Sequence, residues 1–267
     1  MVDIASIVVA ILALIGTVCS AIATAWFAFY SDDRKRASES EKVLSKYRDP
    51  LLLATQDLQS RLYNLTENRF VGATREGEDN HISMIQYTCF LVGQFFSWIY
   101  ILRREAQFLH FDTDRNNKAV TKLLSDIAYT FGTDTFGARD RSCHNLPLML
   151  WRCEQRALGE VMTVVDNNQL YCMGFTTFHT KWEEDLKFRP WFRPIADGLG
   201  PSGVARDLRF RHLQHLLVDL IHVLDPDGIR SEASRTFYCR DVALCSCSNC
   251  SPGGKVQSLL FDINLAY

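Results

Sequence analysis

Three groups of residues carry side chains at spacings that permit chemistry. The first joins Arg103-Arg104-Glu105 to Glu154-Gln155-Arg156 and Glu160, where opposite charges stand beside strongly apolar segments. Such groups form the polar lining of a catalytic or binding site when carboxylates are perturbed in a cleft, and inter-helix ion pairs when they are not. The second is His212, His215, Asp219 and His222, spaced three, four and three. On a helix they share one face, so two imidazoles and a carboxylate could converge on a metal. The same face lies opposite a leucine stripe, where solvated polar residues are expected. The third is Cys239, Cys245, Cys247 and Cys250, the string C-x5-C-x-C-x2-C. Four thiols suffice for zinc, although the spacing departs from the paired C-x2-C pattern. The competing reading is a reactive or acylated tail before Pro252-Gly253-Gly254. No other cofactor is expected. The chain has no Walker A loop, G-x-G-x-x-G, G-x-S-x-G, H-E-x-x-H or Glu-x-x-His signature.

The element that positions everything else is the N-terminal apolar run. Residues Ile4 to Tyr30 are 27 positions without Asp, Glu, Lys, Arg or His. As a helix they reach roughly 40 Å, beyond the roughly 30 Å hydrocarbon core of a bilayer, so a transmembrane anchor is expected. A cleavable signal peptide competes, because Ala21-Ile22-Ala23 and Ala23-Thr24-Ala25 have the small-x-small form of a cleavage site. Against it, there is no basic n-region, and the apolar run continues through Trp26, Phe27, Phe29 and Tyr30. Arg34, Lys35, Arg36, Lys42 and Lys46 follow the span, which orients the remainder of the chain into the cytoplasm as a single-pass protein. Gly16, Ser20, Thr24 and Ala28 recur every four residues and offer a seam for a second copy of the helix, hence a homo-oligomer.

Composition bounds the rest. Lys+Arg 29 against Asp+Glu 31 gives a formal charge of −2, and no basic stripe tracks along the chain, which argues against nucleic-acid binding. Of nine cysteines, Cys89 and Cys172 sit in apolar patterns where a reduced thiol behaves as a small hydrophobe, as suits a reducing compartment. The sequon Asn64-Leu65-Thr66 matters only if that part is lumenal.

The expected organisation is an anchor over 1–30, a charged juxtamembrane segment over 31–48, an all-α helical-bundle domain over 49–230 and a Cys-rich tail over 231–267. Asp49-Pro50 reads as an N-cap with proline at the first helical position, so a helix is expected to begin there. Leu51, Leu58, Leu62 and Leu65 then form an apolar stripe, and Gly72 to Asn80 reads as a loop. Ile82 to Leu102 is a second uncharged run, of 21 residues, just long enough to span. Gln86, Gln94 and Ser97 within it, and Arg103-Arg104 after it, favour a buried central helix. Asp112, Thr113 and Asp114 offer caps for a helix with Ala119, Val120, Leu123, Leu124, Ile127, Ala128 and Phe131 inward, closed by Gly132. A loop over Thr133 to Asn145 precedes Leu146 to Trp151, read as a short extended piece or as the first turn of a helix that runs through Glu154 and Glu160 to Val165. Further helices are expected over Leu170 to Leu186 and Val204 to Leu224, the last stopped by Asp225-Pro226. Strand signals are few.

The blocks Tyr47-Arg48-Asp49-Pro50-Leu51-Leu52, Asp57-Leu58-Gln59-Ser60-Arg61-Leu62-Tyr63-Asn64, Ile101-Leu102-Arg103-Arg104-Glu105 and Glu154-Gln155-Arg156-Ala157-Leu158-Gly159-Glu160 resemble those of an uncharacterised family of predicted membrane-anchored helical proteins. The resemblance runs from about Tyr47 to Pro226 and implies no activity; the cysteine-rich tail lies outside it. The functional expectation is a single-pass membrane protein acting through an unidentified protein partner. Two alternatives stand beside it. One is an enzyme on a lipid-proximal or small-molecule substrate, with the arginines and glutamates named above as its lining. The other is a two-span channel or transporter component.

Overall fold

The computed structural model describes residues 4–66, 78–105, 115–133, 149–199 and 208–230. The four tail cysteines and the expected caps at Asp112, Thr113 and Asp114 lie outside these residues, as do most of the two expected loops. The described chain is mostly helical. Its order is α1 (Ile4–Thr66), α2 (Glu78–Glu105), α3 (Arg115–Gly132), α4 (Arg152–Val161), β1 (Thr163–Asp166), β2 (Gln169–Cys172), α5 (Phe175–Glu184), a 3₁₀ turn (Arg189–Phe192), α6 (Arg193–Gly198) and α7 (Leu208–Leu224).

Helix α1 is continuous for 63 residues and carries Pro50 in its interior, rather than starting afresh there. Its two ends live in different surroundings. The apolar stretch Leu12–Asp32 is entirely unburied, with Trp26 and Phe27 each 74% exposed. From Tyr47 onward one face is enclosed, and Leu51, Leu58, Leu62 and Leu65 all belong to the core.

Helix α2 occupies the centre. Of its apolar window Ile82–Glu105, 72% is buried inside the protein. It runs antiparallel to the second half of α1. Arg61 of α1 donates from Nε to Thr88 Oγ1 and from Nη2 to the Met84 carbonyl, both at 2.9 Å, while Tyr47 and Trp98 face each other at the other end with centroids 6.4 Å apart. Gln86 and Ser97 inside α2 find partners, whereas the buried Oε1 of Gln94 accepts no hydrogen bond among the described residues. Gln86 donates to Glu183 at 2.7 Å and meets His179 Nδ1 at 3.1 Å, and Ser97 is 2.9 Å from the Thr163 hydroxyl. These bonds offset the cost of burying amides and hydroxyls in an apolar helix.

The segment expected to be helical through Val165 and again from Leu170 contains a hairpin instead. Strands β1 and β2 pair antiparallel from Thr163↔Cys172 to Asp166↔Gln169. Asn167 and Asn168 both have positive φ, 48° and 62°, as a two-residue type I′ turn requires. Against α2, helix α5 and the following 3₁₀ turn add an aromatic cluster in which Phe178 meets Phe192 edge-on at 5.1 Å. Helix α7 closes the other side, between α1 and α3, with a buried hydrogen bond donated by Gln214 Nε2 to Gln59 Oε1 at 3.0 Å.

Candidate functional site

Position along the helices decides which of the charged candidates meet. On α2, Phe96, Ile99, Tyr100 and Arg103 fall at helical spacing on one face, with Arg104 at its edge. On α4, Arg152, Arg156 and Glu160 follow one another at intervals of four. The two helices pack closely because Gly159 lies at their crossing. A Cβ there would come within 2.7 Å of the Phe96 carbonyl oxygen and of the Tyr100 Cβ. That contact is possible only for glycine.

Beside the crossing is a cavity of about 720 Å³. Its charged lining is Arg103, Arg104, Arg152, Arg156 and Glu160; its apolar wall is Phe96, Ile99 and Tyr100, with Gln155 at the base. The volume falls in the range of about 300–1,000 Å³ typical of small-molecule sites. The charged lining residues are all solvent-exposed, so the cavity opens outward. Gln155 is buried, and its Nε2 donates to the carbonyls of Ala128 and Leu150, both at 2.8 Å, which ties α4 to the end of α3.

The charge balance is one-sided. No carboxylate among the described residues lies within ion-pair distance of any of the four guanidinium groups, Glu160 included. Arg104 Nη1 donates to the Tyr100 hydroxyl at 3.2 Å. Partial burial lowers the Arg103 guanidinium from its ordinary value, and the neighbouring positive charges of Arg152 and Arg156 lower it further. Arg152 and Arg156, four apart on α4, repel as like charges do at that spacing.

The other sequence candidates separate. Glu154 accepts a hydrogen bond from the Trp151 backbone N–H at 2.7 Å, a capping role at the start of α4, and it is not part of the cavity lining. Glu105 is exposed at the end of α2, outside the lining. Arg152 belongs to the site although the sequence pattern did not single it out. The signal was present in its spacing of four from Arg156.

On α7 the expected solvated histidine face is corrected. His212 and His215 are buried, at 7% and 1% exposure, while Asp219 is half-buried and His222 exposed. The helix is enclosed by both α1 and α3, so its polar side also faces protein. All four residues have interaction partners. Among the described residues no group of three or more His, Cys, Asp or Glu side chains is placed to hold a metal ion. No family model matches the chain, and no match is found among curated proteins or solved structures.

Proposed function

We propose that this chain is a single-pass membrane protein whose cytoplasmic helical domain works as a binding module for a protein partner. The carrying observation is the division of α1. One continuous helix presents a wholly exposed apolar stretch, Leu12–Asp32, and then becomes part of a packed core from Tyr47. An exposed apolar stretch of 21 residues is costly in water and favourable in a bilayer. The basic residues Arg34, Lys35, Arg36, Lys42 and Lys46 support a cytoplasmic domain. Burial of α2 within the bundle supports one span over two. The seam of Gly16, Ser20, Thr24 and Ala28 is the surface for a homo-oligomer.

The enzyme reading draws support from the meeting of Arg103, Arg104, Arg156 and Glu160 at one cavity. In that reading Glu160 is the acid–base group, being the carboxylate of the lining, and the arginines hold an anionic substrate.

Alkaline carbonate extraction tests the anchor. The full chain is expected to stay with the membrane pellet, and a variant lacking residues 12–32 to leave it. Retention of the deletion variant in the pellet would point to a second span and sink the single-anchor reading.

A further inference from the structure

We infer that the cavity between α2 and α4 binds a phosphate-type anion bearing two or more negative charges, held by Arg103, Arg104, Arg152 and Arg156. The inference deepens the binding-module reading, and its choice between lipid and free ligand rests on the anchor. Four arginines from two helices line one space, and among the described residues no carboxylate, Glu160 of the same lining included, lies within ion-pair distance of their guanidinium groups. Arginine presents a planar fork of donors that matches phosphate oxygens two at a time, so a convergent set selects multivalent oxyanions. Keeping these like charges together costs free energy in the empty site, and a bound anion removes that cost. Gly159 maintains the arrangement, since the close crossing it permits brings the Arg152–Arg156 face of α4 to the Arg103 face of α2. The wall of Phe96, Ile99 and Tyr100 provides a surface for an apolar or ring portion attached to the phosphate.

The site lies at one particular end of the bundle. Because α2 runs antiparallel to α1, Arg103 and Arg104 lie beyond the Tyr47–Trp98 contact, toward the apolar stretch of α1. Lys46 reflects this placement. Its ammonium lies over the Tyr47 ring, 4.9 Å from the centroid, and its pKa is raised, chiefly by Tyr47, with the Glu105 charge contributing as well. Tyr47 follows the last residue of the stretch, Asp32, by about 22 Å of helix. A phosphorylated headgroup projecting from the same membrane, or a free phosphorylated small molecule, supplies the required chemistry.

The test uses the full chain reconstituted in phosphatidylcholine nanodiscs, with inorganic pyrophosphate titrated calorimetrically. Saturable binding is expected, about tenfold or more weaker in Arg103→Gln/Arg156→Gln and unchanged in Arg193→Gln, an exposed arginine elsewhere. Arg103→Lys/Arg156→Lys keeps the charge but loses the fork, and is expected to fall between. Equal thermal melting across the set establishes that folding is intact. Repeating the titration with a small fraction of phosphatidylinositol bisphosphate, against discs of matched charge made with phosphatidylserine, separates the sources. Weaker pyrophosphate binding in the phosphoinositide discs alone assigns the site to a lipid headgroup, and equal binding in both assigns it to a soluble anion. Absence of saturable pyrophosphate binding, or binding undiminished in the Gln pair, overturns the inference. The pyrophosphate arm reads the pocket regardless of whether the anchor reading survives.

Discussion

Arg209 is 1% exposed, yet it carries a guanidinium into the core. Its Nη1 donates to the carbonyls of Thr130 at 2.8 Å and Phe131 at 2.9 Å, and its Nη2 to Thr133 at 2.6 Å. The last carbonyls of α3 have no donors within the helix and sit at the negative end of its dipole, so a cation from α7 completes them. Arg209→Met is expected to lower stability by about 2–4 kcal/mol, because it leaves those carbonyls buried without these donors; urea unfolding monitored by circular dichroism measures it. Cys172 makes a second residue-level prediction. Burial pushes its thiol up from 9.0 to about 11, against a smaller downward pull from Ser97. A raised folded-state pKa means that the folded chain holds the proton more tightly than the unfolded one. This contribution is complete below about pH 9 and disappears as pH rises toward about 11. The fall in stability over that window should be smaller in Cys172→Ala, as urea midpoints at pH 8, 9.5 and 10.5 will report. What was legible at this scale was residue type more than setting. The polar side of α7 reads as solvated from its spacing alone, and only packing against a second neighbour reveals His212 and His215 as interior groups.

Among the elements, the crossing of α2 and α4 is the contact that builds the cavity. Gly159→Leu places a branched side chain where even a Cβ would meet the Phe96 carbonyl oxygen at 2.7 Å, so the helices must separate. The expected outcome is a loss of about 1–3 kcal/mol of stability together with weakened pyrophosphate binding, read by thermal melting and calorimetry on one sample. Unchanged binding would place the anion away from this crossing. The apolar stripes of α1, α2 and α3 are legible in sequence because each buries a face at helical period. Pro50 is not: Asp49-Pro50 has the form of a helix start, whereas the helix continues through it on the packing of Tyr47, Leu51 and Leu52 around it. The hairpin was available to sequence reading. Thr163-Val164-Val165 and Leu170-Tyr171-Cys172 flank Asp166-Asn167-Asn168-Gln169, a β-rich run on each side of an Asn-Asn turn, but the apolar residues around it also fit a helical pattern.

In the molecule as a whole, one helix that is exposed and apolar at its start joins a bundle whose second apolar helix is already enclosed. Exposure decides between these two segments where hydropathy alone does not, since both are long and apolar enough to cross a bilayer. The arginine-lined cavity then lies at the bundle end nearer the first segment. Half of this arrangement is visible in the sequence, as an apolar run followed by basic residues. The other half, the convergence of Arg103 and Arg104 with Arg152 and Arg156, depends on an antiparallel helix crossing that no local pattern encodes. Glycosylation mapping of both termini is the decisive measurement for the proposed single span with the domain in the cytoplasm. The full chain is translated in the presence of microsomes with acceptor tags at its N- and C-terminal ends. Modification of the N-terminal tag alone is the predicted result. Modification of both tags would make α2 a second span, modification of the C-terminal tag alone would place the domain in the lumen, and either result would contradict the account.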